Sequence, residues 1–140
     1  MKRIIFINII LSSILLFSSC DTPLNEYQPK SEDEKQIVAL LQTFVEARNS
    51  QDLKIIRSLF HDNGIYYKGM GGEINASDIE STDPEWWTSF GKFGITDPEI
   101  TINGNEAQIS MNTIYGNSRF QAYYVLVKED GKWLINTVRQ

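Results

Sequence analysis

Cysteine and histidine, which carry much of the nucleophilic and metal chemistry of proteins, each occur once in 140 residues. One of each leaves no histidine-rich or cysteine-rich metal cage. No Asp-x-Asp-x-Asp-Gly loop offers a calcium site. The glycine run Gly69-Met70-Gly71-Gly72 lacks the Gly-Lys-Ser/Thr ending of a phosphate cradle and reads as a rim or tight turn. Neither a metal nor a cofactor is expected. Positive charge is scarce too: 13 Lys+Arg stand against 18 Asp+Glu, with no basic stripe, so nucleic acid is excluded as a partner. What remains is 41% hydrophobic and 11% aromatic, enough for one core and one domain, and not a collagen-like, coiled-coil or disordered composition.

The chain opens on Met1-Lys2-Arg3, followed by an apolar run from Ile4 to Phe17 broken only by Asn8, Ser12 and Ser13. Crossing a bilayer takes about 20 apolar residues, so this shorter run reads as a secretory signal. It ends in Leu16-Phe17-Ser18-Ser19-Cys20, which resembles the lipobox of bacterial lipoproteins, with Phe17 where leucine is usual. The resemblance implies cleavage after residue 19 and lipidation of Cys20. Two thioether-linked chains, and a third such as palmitate on the amine, then tether the protein to a membrane of the bacterial cell envelope. A lipidated Cys20 also leaves no thiolate for the lone histidine to activate. Removing residues 1–19 takes away Lys2 and Arg3 and no acid, leaving 11 basic and 18 acidic residues, formally −7. Residues 20–30, with Pro23 and Pro29, read as the lipidated Cys and a flexible spacer, and residues 31–140 as the domain.

Ser31 followed three residues later by Glu34 is a capping box. It opens an amphipathic helix with Ile37, Leu40, Leu41, Phe44 and Val45 on one side, and Lys35, Gln36, Glu46 and Arg48 on the other, ending near Asn49. Asp52 caps a second, shorter helix burying Leu53, Ile56, Leu59 and Phe60, which Asn63-Gly64 stops. Ile65-Tyr66-Tyr67 is β-prone, and Asp83-Pro84 starts a third helical piece. Strands are expected over Glu99–Ile102, Glu106–Tyr115, Ser118–Lys128 and Lys132–Arg139, split by Gly-Asn turns into an antiparallel meander. The third of these carries Tyr123, Val125 and Val127 on its outer face, which suggests a homodimer through the sheet.

Helices followed by a curved antiparallel sheet make an α+β fold. Leu40 to Asn49 followed by Gln51-Asp52-Leu53, then Leu59 to Gly64, then Val127 to Ile135, resemble in order and spacing the nuclear-transport-factor-2-like or SnoaL-like superfamily. The resemblance implies a cone with a long N-terminal helix and two shorter helices packed in a strongly curved antiparallel sheet, enclosing a pocket. Its members include isomerases, dehydratases, cyclases and non-catalytic binders, so fold alone leaves activity open.

Ketosteroid isomerases of that superfamily use a carboxylate base, a phenol and a neutral acid. Alignment to this chain places those positions on Lys68, Phe44 and Tyr123, so the proton acceptor is lost. His61 beside Asp62, together with Tyr123, are the remaining catalytic candidates; a histidine ending the second helix is explained equally well by the helix carbonyls. Trp86 and Phe90, four apart, should face into the cup, with Trp87 about 100° away at its rim. The expected pocket is Phe44, Tyr66, Trp86, Phe90, Met111 and Tyr124, suited to a small apolar or aromatic ligand. The reading is therefore a lipid-anchored binding or accessory domain that is not an enzyme. Its alternatives are an isomerase, dehydratase or cyclase using the pocket, and a dimerising module whose pocket is filled by its own side chains.

Overall fold

The computed structural model describes residues 20–68 and 72–140. Residues 1–19, where a secretory signal is expected, and most of the glycine run, residues 69–71, lie outside the described residues.

Helix α1 runs Glu32–Asn49, with the Ser31 side chain accepting from the Glu34 amide at 3.1 Å. The reciprocal half of the cap is shifted by one residue: the Glu34 carboxylate takes the Lys30 amide at 2.8 Å and the Tyr27 hydroxyl at 3.0 Å. Ile37, Leu41 and Phe44 are fully buried against the sheet. Arg48, assigned by sequence to the solvent side, is buried with them, because it follows Phe44 by four and Leu41 by seven residues. Helix α2, Leu53–Ser58, is capped by Asp52 and buries Ile56.

Six strands form one sheet: β1 Phe60–Tyr67, β2 Glu73–Asn75, β3 Phe93–Asn103, β4 Glu106–Tyr115, β5 Ser118–Glu129 and β6 Lys132–Arg139, in the order β2-β1-β6-β5-β4-β3. The meander β3 to β6 is antiparallel, and β1 joins it parallel to β6. Breaks in register between β1 and β6, β3 and β4, and β5 and β6 bend the sheet around α1 into a cone. The fold is thus the α+β cone expected, but the sheet is mixed where an antiparallel one was expected, because β1 lies parallel to β6, and three further places differ.

Strand β3 starts at Phe93, six residues before the expected Glu99. Asp97 at φ 51° and the following Pro98 sit in its register break, where a strand tolerates a missing donor. The stop expected at Asn63-Gly64 falls at Ser58 instead, and Gly64 belongs to β1. A Cβ on Gly64 would lie 2.9 Å from both the His61 and Ile135 carbonyl oxygens, so glycine here serves the close approach of β1 to β6. The stretch read as a flexible spacer is docked: Leu24 is buried, Asp97 N donates to Thr22 O at 2.8 Å, Thr22 N donates to Asp97 Oδ1 at 2.7 Å, and Asp21 pairs with Arg119. One apolar side chain and an aspartate near its docking point outweigh the two prolines.

Candidate functional site

The inward-facing residues of β4, Ala107, Ile109, Met111, Thr113 and Tyr115, and of β5, Ala122, Tyr124 and Leu126, are buried beneath α1. Phe44 forms the floor of the cone, with edge-to-face contacts to Phe60, Phe93 and Tyr124 at centroid distances of 6.1, 5.8 and 6.1 Å. One helical turn on, Arg48 enters the interior at 1% exposure. Its guanidinium carbon lies 4.3 Å from the Phe93 ring centroid, 4.8 Å from Tyr115, 5.4 Å from Trp87, 5.6 Å from Tyr66 and 6.0 Å from Trp86. Each ring is at cation–π distance.

Arg48 Nε donates to the Trp87 carbonyl at 3.2 Å and Nη1 to the Tyr66 hydroxyl at 2.6 Å. Tyr66 donates in turn to Gln140 Oε1 at 3.1 Å, and the Tyr115 hydroxyl donates to the same oxygen. Two polar groups in this interior have no hydrogen-bond partner: the Tyr124 hydroxyl and the Gln140 amide nitrogen. The Gln140 side chain is near enough to Tyr124 to ease the ionisation of its hydroxyl slightly, yet neither atom completes a bond.

The charge on Arg48 is unmatched. Among the described residues, which hold every Asp and Glu of the chain, no carboxylate lies within ion-pair distance of it. Burial works against that charge, while the oxygens of Tyr66, Tyr115 and Tyr124 more than offset burial and hold the guanidinium pKa above its ordinary value. The carbonyl end of α1, where Arg48 sits in the last turn, adds to this. Burial also pushes the Tyr115 and Tyr124 hydroxyls far up, so both are neutral.

Trp87 and Phe90 exchange the places expected of them, while Trp86 lies beside Arg48. Asp83 caps Pro84–Thr88 as a 3-10 helix with three residues per turn, so the α-helical alignment of positions 86 and 90 is lost. Trp87 is fully buried and donates from Nε1 to Thr82 Oγ1 at 2.8 Å, Trp86 is half-buried, and Phe90 is 65% exposed. The Lys68 ammonium lies 4.9 Å from the Trp86 ring centroid, the second cation beside this aromatic cluster.

Of the residues singled out by sequence, the structure brings Tyr66, Trp86 and Tyr124 around Arg48, puts Phe44 beneath them, buries Met111 further along β4 and leaves Phe90 outside. The catalytic candidates are not in the cone. His61 lies at the opposite end of β1 from Tyr66, where Nδ1 accepts from the Asn63 amide at 3.1 Å and Nε2 meets Glu129 at 3.1 Å. Asp62 is exposed and paired with Arg57 at 2.7 Å, which lowers its pKa by hydrogen bonding. Tyr123 points out of the sheet, 52% exposed, into a shallow groove of about 280 Å³ shared with Glu99, Thr101, Gln108 and Val125. Cys20 is exposed with a free thiol. Sequence reading missed Arg48, Trp87, Tyr115 and Gln140. Two signals were present: Leu41, Phe44 and Arg48 share one helical face, and Gln140 continues the inward alternation of Val138.

A cone of this build is that of the nuclear-transport-factor-2-like, SnoaL-like and cystatin-like proteins. Within that class the chain belongs to the family described as "Putative lumazine-binding", whose model matches residues 32–138. No curated protein matches it. Among solved structures it is similar to a protein of unknown function with a cystatin-like fold from Nostoc punctiforme, at 14% identity over 80% of this chain and 92% of that one, TM-score 0.63. It is similar also to an NTF-2 like protein of unknown function from Silicibacter pomeroyi, at 16% identity, 79% and 96% coverage and TM-score 0.61. A third is a putative ketosteroid isomerase from Shewanella frigidimarina, at 20% identity, 72% and 90% coverage and TM-score 0.59. At these identities the likeness is one of fold.

Proposed function

We propose that this is a lipid-anchored protein of the bacterial cell envelope, attached through Cys20, whose cone binds a small planar molecule without turning it over. The observation that carries the non-catalytic part is the polar equipment of the cone: an arginine, three phenols and an amide, with neither carboxylate nor imidazole to take a proton. The positions that align with an isomerase's base and phenol hold Lys68 and Phe44, and the one that aligns with its acid, Tyr123, faces outward. Rings from five aromatic residues around one cation suit a flat aromatic ligand, and the family's lumazine-binding description agrees with a bicyclic heteroaromatic one. Titration with lumazine, followed by the fluorescence of Trp86 and Trp87, should saturate. Native mass spectrometry of protein purified from its own envelope should retain a small molecule. Silence in both removes the binding role.

Lipidation of Cys20 would place the bilayer close to the domain, since docking begins at the next residue, Asp21. A Cys20→Ser variant is expected to leave the membrane fraction; its retention there would refute the anchor. A second reading, self-association through the outer sheet face, draws on the exposed Tyr123 and its groove. Light scattering on wild type and Tyr123→Glu tests it, with a dimer expected only for wild type.

A further inference from the structure

We infer that the ligand of the cone is an anion: a small aromatic carboxylate or an ionised heteroaromatic oxygen, seated against Arg48 within reach of Tyr124 and Gln140. This inference rests on the cone being a ligand site and adds the chemical class of what enters it.

Of the five N–H donors of Arg48, the Trp87 carbonyl takes one and the Tyr66 hydroxyl another. The single strong acceptor deeper in the network, Gln140 Oε1, already receives both Tyr66 and Tyr115. Three N–H groups of Arg48 have no bond among the described residues, and the Gln140 amide nitrogen and the hydroxyl of Tyr124, a residue 1% exposed, are buried without a partner. A buried donor left without an acceptor is destabilising, and an unpaired buried charge more so. The interior therefore has a surplus of donors and of positive charge, and it lacks an acceptor carrying negative charge.

The distribution of charge agrees. The chain excluding residues 1–19 is formally −7, yet Arg48 inside and Lys68 beside Trp86 are both cations, and Arg48 has no carboxylate partner among the described residues. A core arginine whose role is structural ordinarily meets a carboxylate, as Arg57 and Arg119 do here on the surface. Arg48 is instead ringed by aromatic faces, which hold a guanidinium without neutralising it and leave its charge for a ligand. Tyr124, neutral and without a partner, can donate to such an anion, and the neutral Tyr115 does not repel it. A neutral acceptor would satisfy the donors but leave the charge of Arg48 unmatched, and a cation would do neither.

The test uses full-length protein in detergent and two probes of one shape, benzoate and benzamide, by titration calorimetry. Benzoate should bind at least about tenfold more tightly than benzamide to wild type. Arg48→Gln should abolish that preference, Arg48→Lys should keep part of it, and Tyr124→Phe should weaken benzoate more than benzamide. The wild-type contrast stands even if an Arg48 variant fails to fold. Benzamide binding as well as benzoate, or neither probe binding, overturns the anionic assignment. If lumazine binds nonetheless, the cone remains a ligand site of another polarity; if lumazine fails too, the binding role falls as well.

Discussion

The two ends of strand β1 hold charged groups in opposite circumstances. At its start, His61, Asp62, Arg57 and Glu129 lie at the surface, and each side chain faces a partner of complementary charge or hydrogen-bonding capacity. At its end, Tyr66 leads into an interior where Arg48 has aromatic rings and phenols for neighbours and no acid. The first arrangement is self-sufficient and nearly neutral in energy, since exposed ion pairs contribute little. The second leaves a charge and two polar atoms uncompensated in a place where compensation matters. The conspicuous neighbours in the sequence, His61 and Asp62, each have a partner of their own at the surface, whereas the buried Arg48 has no acid beside it.

The contrast breaks most visibly if the interior is not well packed. Phe44→Ala removes the floor that Phe60, Phe93 and Tyr124 rest on, and should cost about 3–5 kcal/mol in urea denaturation. A loss under about 1 kcal/mol would mean a loose cone that cannot hold Arg48 in one geometry. Gly64→Ala tests the joint between the two ends. Its Cβ would press on the carbonyl oxygens of His61 and Ile135 at 2.9 Å, backbone atoms that cannot swing aside, and a cost of about 1–3 kcal/mol is expected.

Tyrosine sharpens the comparison through pH. Burial raises the folded-state pKa of Tyr115 and Tyr124, so the stability they contribute is complete below the unfolded tyrosine pKa of about 10 and is lost as pH rises above it. Each should steepen alkaline destabilisation by about 1.4 kcal/mol per pH unit. Tyr124→Phe should remove one of these contributions and lower the slope by about 1.4 kcal/mol per pH unit, while at neutral pH it should leave the protein as stable or about 1 kcal/mol more so, because its hydroxyl is buried without a partner. Acid sensitivity belongs to the exterior: Arg57 lowers the Asp62 pKa, so that contribution is present above the ordinary carboxylate range and lost as pH falls through the lowered value. Chemical denaturation across pH reads both limbs.

Much of the fold was legible because it is local. Ser31 and Asp52 cap the helices they were expected to cap, and Glu106–Tyr115 and Lys132–Arg139 are strands to the residue, each with a Gly turn at positive φ beside it. The strand β2, paired with the preceding β1, is only three residues long and too short to show a period, while the 3-10 helix Ala76–Ser81 and the docking of Leu24 depend on partners outside their own segments. The site was half legible. Alternation along the third meander strand put Tyr124 inside, but the assumption that charge seeks water put Arg48 on the wrong side of α1, and α-helical geometry applied to a 3-10 turn exchanged the places of Trp87 and Phe90. Both errors fall where the chain departs from average behaviour, which is where sites are commonly found.

The smallest expected effect tests the other end of the comparison. Glu129→Gln keeps the shape of the side chain facing His61 Nε2 and removes its charge. With Glu129 well exposed, the change should shift stability by about 0.5 kcal/mol or less and leave lumazine binding unchanged. A loss of binding would couple the His61 end to the cone and return the histidine to the mechanism. A null result, set beside a strong effect of Arg48→Gln on benzoate, would separate a surface pair that completes itself from a buried cation that requires a partner from outside the chain.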